Sequence, residues 1–136
     1  MTALTQDRNT ERREGTHASA PVAANARIFA GALVAINATG FAVPGSTSAT
    51  LSGAGVALAR ADNTGGANGS ISVQLWKLPA QLGNSAGADA ISLADVGKDC
   101  FIVDDQTVAK TNGTNTRSRA GRVFDVDADG VWVDFR

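Results

Sequence analysis

The chain has 136 residues, 12 basic against 13 acidic, and a net charge of −1. That length suits one compact domain able to bury a core without metal or disulfide support. The balance excludes a general nucleic-acid binder and a surface that attaches to anionic membranes, both of which need a surplus of Lys and Arg. A single cysteine, Cys100, excludes an internal disulfide framework and suits a reducing cytosol. Fifteen glycines, two tryptophans and no tyrosine favour thin, turn-rich sheets over an aromatic-lined pocket.

Residues 1–20 differ from the rest: Arg8, Arg12 and Arg13 mix with Asp7, Glu11 and Glu14, and no apolar face gathers. They read as an arm that orders on a partner, or as a frayed terminus without a role. Arginine forks suit carboxylates on another protein. The early apolar run, 28–36, is interrupted by Gly31 and is too short to span a bilayer, and no secretory signal precedes it.

From Pro21 the pattern turns to short strands. Residues 27–30, 32–37 and 41–43 are candidates, with a tight hairpin over 36–41. The Ser/Thr/Gly-rich stretch 46–55 reads as a loop, with room for a short strand at Thr50 and Leu51. A strand beginning at Val56 leads into the Gly/Asn-rich loop 62–69, and 71–76 alternates cleanly between apolar and polar. Ser92, Asp95 and Gly97 describe one helical turn, with the acid three residues after the Ser. Strands at 100–103 and 107–110, an exposed turn at 111–116, and 120–126 follow. A terminal hairpin closes the series, with Asp127 to Gly130 as its turn and Val131, Val133 and Phe135 sharing one face. Nine or ten short strands with a turn every 8–12 residues predict an all-β fold: a small antiparallel β-barrel or sandwich over 21–136, with an extended N-terminal arm.

The chemistry-bearing motifs have plain structural readings. Asp125, Asp127, Asp129 and Gly130 imitate the start of a calcium loop, but its twelfth position is Arg136 where a bidentate Glu belongs. A hairpin turn explains the same letters. Asp104 and Asp105 are adjacent in sequence, so a strand would point them to opposite faces, away from a shared pocket. His17 stands alone in the arm, too far from any partner set to activate Cys100, which reads as a buried, inert thiol. Gly65 to Gly69 lacks the Lys-Ser/Thr of a phosphate loop. No catalytic, cofactor or metal residue is therefore assigned, and the protein is not expected to be an enzyme. Trp76 and Trp132 lie on the outer side of their strands, suited to rim packing or to a subunit interface.

Beyond this, the segments RNTERREG, PVAANARIFAGALVAINATGFAVPG, DNTGGANGSISV, NSAGADAISLADVGKD and IVDDQTVAKTNGTNTRSRAGRVFDVDADGVWVDF resemble a family of short proteins of tailed bacteriophages and prophages, the capsid cement or head-decoration proteins. The similarity runs from Thr5 to the C-terminus, with VDDQTVA and AGRVFDVDADGVWV the most specific blocks. Residues 75–82 depart from the basic and aromatic stretch of that family. The resemblance implies a structural virion protein, made in the host cytoplasm, that binds the capsid exterior. Its partner would be the major capsid protein, and it would sit as a homotrimer at three-fold and local three-fold positions. It also implies that Arg8, Asn9, Glu11, Arg12 and Arg13, which match the family's RNTxRR start, belong to the shell-contacting arm. A host-surface or glycan-binding module, using loops 62–69 and 111–116, is the alternative.

Overall fold

The computed structural model describes residues 2–136. Twelve strands follow in chain order: β1 (His17–Pro21), β2 (Arg27–Ile28), β3 (Leu33–Ile36), β4 (Ala42–Pro44), β5 (Ser52–Ala57), β6 (Ala61–Asp62), β7 (Ser72–Trp76), β8 (Ala80–Asn84), β9 (Asp99–Ile102), β10 (Thr107–Ala109), β11 (Arg119–Asp127) and β12 (Gly130–Asp134). The fold is all-β, as expected. The C-terminal strands close a barrel in the order β10-β8-β12-β11-β9, and the N-terminal strands form a five-stranded sheet, β1-β7-β5-β3-β4, with β2 and β6 as a separate ribbon. The strand pairs are antiparallel except β8 with β10. Past β1, Val22 bridges Ala42 in parallel and the Ala23 amide donates to the Ala42 carbonyl, so the two edges of the first sheet are tied.

Two cores result, and β3 is the wall between them. Leu33 and Ala35 face the barrel core with Ile102, Val108, Val131 and Val133. Val34, one residue out of phase, faces the second core with Val22, Ile28, Val73 and Leu75. Successive strand side chains point to opposite faces, so a strand buried on both sides must be apolar throughout, which is why LVAI does not alternate. Each Leu, Val or Ile side chain among them contributes roughly 1.5–3 kcal/mol on full burial.

β5 lies against β11, and glycine sets the separation. A Cβ on Gly53 would fall on the Ala120 carbonyl oxygen. Buried Ser118 fixes the same contact: its hydroxyl donates to the Ser48 carbonyl at 2.6 Å and accepts from the Leu51 amide at 2.9 Å. Of the stretch expected as a loop at 46–55, the last four residues belong to β5, and the strand starts at Ser52, just past the short strand expected at Thr50 and Leu51. Its Gly and Ser content, which mimics a turn, serves close backbone approach.

Two further expectations change. The segment 1–20 was expected to stand outside the β-domain, yet β1 begins at His17 and pairs residue for residue with β7, His17 opposite Trp76 and Ala20 opposite Val73. Ala18 and Ala20 turn inward, and such small side chains leave a faint hydrophobic signal. β8 was not expected at all. AQLGN buries only Leu82, but both its edges are used, by β12 and by β10.

The predicted hairpins are present. Asn37 Oδ1 accepts from the Thr39 and Phe41 amides across the β3–β4 turn. In the β11–β12 turn Asp127 Oδ1 accepts from the Asp129 and Gly130 amides. The helical turn at Leu93–Asp95 is a short 3₁₀ turn, with Ser92 donating its amide to the Asp95 carboxylate at 2.8 Å.

Gly53→Ala is expected to cost about 3 kcal/mol or more, since backbone must move. Gly31→Ala, at φ 83° in open space, should cost only about 1–2 kcal/mol. Urea unfolding of both variants measures the difference. The same measurement should leave a deletion of residues 2–14 at wild-type stability, whereas a deletion through Pro21 removes β1 and uncovers Val73 and Leu75.

Candidate functional site

Residues 2–14 carry neither strand nor helix, and each is exposed. Arg8, Asn9, Glu11, Arg12 and Arg13 take part in none of the ion pairs or side-chain hydrogen bonds among the described residues. Only at its inner end is the segment fixed, where the Thr16 hydroxyl donates to Glu14 and the Thr16 carbonyl accepts from the Lys77 amide.

The two tryptophans are half-buried, in different bodies of the fold, and each is engaged within its own chain. Trp76 meets the His17 ring edge-on, with centroids 5.4 Å apart. Trp132 donates its indole N–H to Asp127 Oδ2 at 2.8 Å. Asp127 thus spends one oxygen on its turn and the other on Trp132, while Asp125 Oδ1 accepts from the Val126 amide. Of the three carboxylates in the calcium-loop look-alike, Asp127 is thus committed on both oxygens, while Asp125 holds only its neighbour's amide.

The remaining candidates separate in the same way. Asp104 accepts from the Gln106 amide. Asp105 offers its backbone carbonyl to the Leu33 amide at 2.7 Å, joining the β9–β10 turn to the dividing strand. Cys100 lies in the barrel core, its thiol donating weakly to the Gly121 carbonyl, and burial pushes it up to about 11. His17 is at the start of β1, in the other body. Among the described residues no group of three His, Cys, Asp or Glu is placed to hold a metal.

The loops suited to sugars spend their amides internally. Buried Asn63 donates to the Val22, Ala23 and Ala67 carbonyls, Asn68 accepts from the Ala24 amide, and Asn112 accepts from the Asn115 amide. Open depressions of about 340 and 320 Å³ meet at Gly31 and Gln106; Gln81, Thr107 and Asp129 line the first, Phe29 and Asp105 the second.

What the sequence did not single out is a set of exposed apolar side chains. Phe29, Leu58, Leu93, Val96 and Phe124 are large, apolar and between 44% and 68% exposed. Phe29 is flanked by two guanidinium groups, Arg27 at 5.4 Å and Arg60 at 5.5 Å from its ring centre. Phe124 sits at the β-bulge between Val123 and Asp125, where alternation fails and Phe124 and Asp125 are both outward. The only signal available was Phe29 two residues before a turn glycine.

Five of the carboxylates are held below their ordinary value by hydrogen bonds. The Thr64 hydroxyl lowers Asp62, the Thr111 hydroxyl lowers Asp89, the Ser92 amide lowers Asp95, the Trp132 indole lowers Asp127 and the Arg136 guanidinium lowers Asp134.

Compared with known proteins, the chain matches no family model, no curated protein and no solved structure at a significant level.

Each lowered carboxylate stabilises the fold fully above the ordinary Asp value of 3.8 and loses that contribution as pH falls through the lower folded value. Melting temperature should therefore hold level from neutrality down to about pH 5 and fall below about pH 4, with a shallower acid limb in Asp95→Asn. The thiol of Cys100, raised from 9.0 to about 11, should react with a thiol reagent at least about 100-fold more slowly in the folded protein than in urea.

Proposed function

We propose that this chain is a capsid decoration protein: a structural virion component that binds the outer surface of a tailed-phage head and reinforces contacts between major capsid protein capsomers. The observation that carries the reading is the pairing of a β-domain, whose turn carboxylates are largely spent on its own backbone, with residues 2–14, whose charged groups other than Glu14 meet no partner among the described residues. The resemblance of RNTERREG and of the two C-terminal blocks to the cement family supplies the class of partner.

The physics of the role is simple. A shell under pressure from packaged DNA yields at the seams between capsomers. A protein that spans a seam adds contacts that must be lost before the seam opens. A symmetric trimer at three-fold positions makes those contacts multivalent, so modest individual affinities combine. Extended, residues 2–14 reach roughly 40 Å from the domain. Arg8, Arg12 and Arg13 then offer forked donors to shell carboxylates, with Glu11 taking a basic partner and Asn9 backbone groups. Ordering the segment on docking offsets part of the gain, which favours a fixed binding geometry over raw affinity. This reading involves no catalysis, cofactor, nucleic acid or membrane, and the protein would be found on the capsid exterior.

The test is co-sedimentation with phage heads stripped of decoration. Intact protein should saturate the shells and raise their resistance to heat and chelators. Protein lacking residues 2–14, still folded, should bind at least about tenfold more weakly. Equal binding by both forms would remove the segment from the mechanism. Binding to a glycan array with none to shells would favour the host-surface module.

A further inference from the structure

The exposed apolar side chains of the β-domain fall into two groups, held together by backbone hydrogen bonds. In the first, the Gly31 amide donates to the Ala57 carbonyl and the Ala57 amide to the Ala32 carbonyl. This sets the turn bearing Phe29 beside the end of β5, which bears Leu58, and Arg27 and Arg60 both lie over the Phe29 ring. Arg27 forms no ion pair among the described residues and Arg60 has a 3.6 Å contact to Asp62 with more than half its side chain exposed, so the single Asp62 carboxylate, on which both guanidinium groups act, leaves the pair one positive charge in excess. The group is apolar and basic, with guanidinium donors to spare.

The second group sits on the barrel. The Gly97 amide donates to the Val123 carbonyl, and the Val123 amide to the Lys98 carbonyl. These bonds set Leu93 and Val96, on the 3₁₀ turn, at the same corner as the bulge that turns Phe124 and Asp125 outward. The basic residues nearby have acidic neighbours of their own: Lys98 acts on Asp95, and Arg122 on Asp134. Asp125, exposed beside Phe124, is left as the outward charge of the bulge.

Single exposed apolar residues are ordinary, but clusters of large ones mark contact surfaces. The two clusters lie on different bodies of the fold and differ in charge: one carries two arginines against the single carboxylate of Asp62, and the other carries Asp125, outside any ion pair among the described residues. We infer that they are the two halves of a head-to-tail interface between copies of this chain: Phe124 and Asp125 of one copy dock on Phe29, Arg27 and Arg60 of the next. A contact between two unlike patches repeats from copy to copy and ends only when a ring closes. Three copies make that ring. An aromatic and arginine-rich centre, shielded by Leu58, Leu93 and Val96, has the composition of an interface hot spot. The inference rests on the trimer of the decoration reading. Its test uses no shells, so a failure here is distinct from a failure of shell binding.

The experiment is sedimentation velocity of the full chain at micromolar concentration, with Phe124→Ser as one variant and the double charge reversal Arg27→Glu with Arg60→Glu as another. All three positions are exposed, so both variants are expected to keep the wild-type melting profile. Wild type should sediment at three times the monomer mass and each variant as a monomer. Mixed in equal amounts, the two variants should form a dimer and go no further: the first retains an intact basic patch, the second an intact bulge, and only that one contact can be made. Reconstitution also shows that each variant is folded. A monomeric wild type, a variant that stays trimeric, or a mixture that stays monomeric would each overturn the inference.

Discussion

The fold depends on one strand with no outer face. Leu33 and Val34 are neighbours in sequence, yet they anchor different cores, so any displacement of β3 disturbs both at once. Its backbone is held along its length. β4 and β5 flank it, the Leu33 amide reaches the Asp105 carbonyl, and the Leu33 carbonyl accepts from Gly45. Barrel and sheet are therefore coupled through shared side chains, and cooperative unfolding of the whole domain is the physical consequence.

Around that wall, polar residues do the work that long helices do elsewhere. Asn37, Asn63, Asp95, Ser118 and Asp127 each satisfy backbone groups that a turn-rich chain would leave bare. This explains why a sequence rich in Asn, Asp and Ser shows so little convergent chemistry. Its polar groups face its own backbone. What is left for neighbours is the charge of residues 2–14 and, on the rim, a few apolar side chains with Arg27, Arg60 and Asp125 beside them.

Strands were legible where one face is buried and the other wet. β7 reads Ser72 out, Val73 in, Gln74 out, Leu75 in, and β12 buries Val131 and Val133 around a half-exposed Trp132. They were illegible where small residues carry the contact. Gly53 in β5, Ala18 and Ala20 in β1, and the lone Leu82 of β8 give weak periodicity, because close approach and two-edged pairing hold these strands in place of apolar bulk. The division into two cores was hidden for a related reason: LVAI carries no mark of which residue faces which side. Of the surface, the charged start could be read directly. The Phe124 corner could not, since the bulge that turns it outward depends on the partner strand.

The closing strand has a consequence for biosynthesis. β8 is synthesised ahead of both its partners, and it stays unpaired until β10 and β12, which follow it in the chain, have left the ribosome. In that interval it is an open template for misassociation with other nascent chains. Its composition limits the hazard: AQLGN offers one bulky apolar side chain, a glycine and two amides, a poor seed for aggregation. The weak hydrophobic signal that hides β8 from a reader of the sequence also protects the nascent polypeptide.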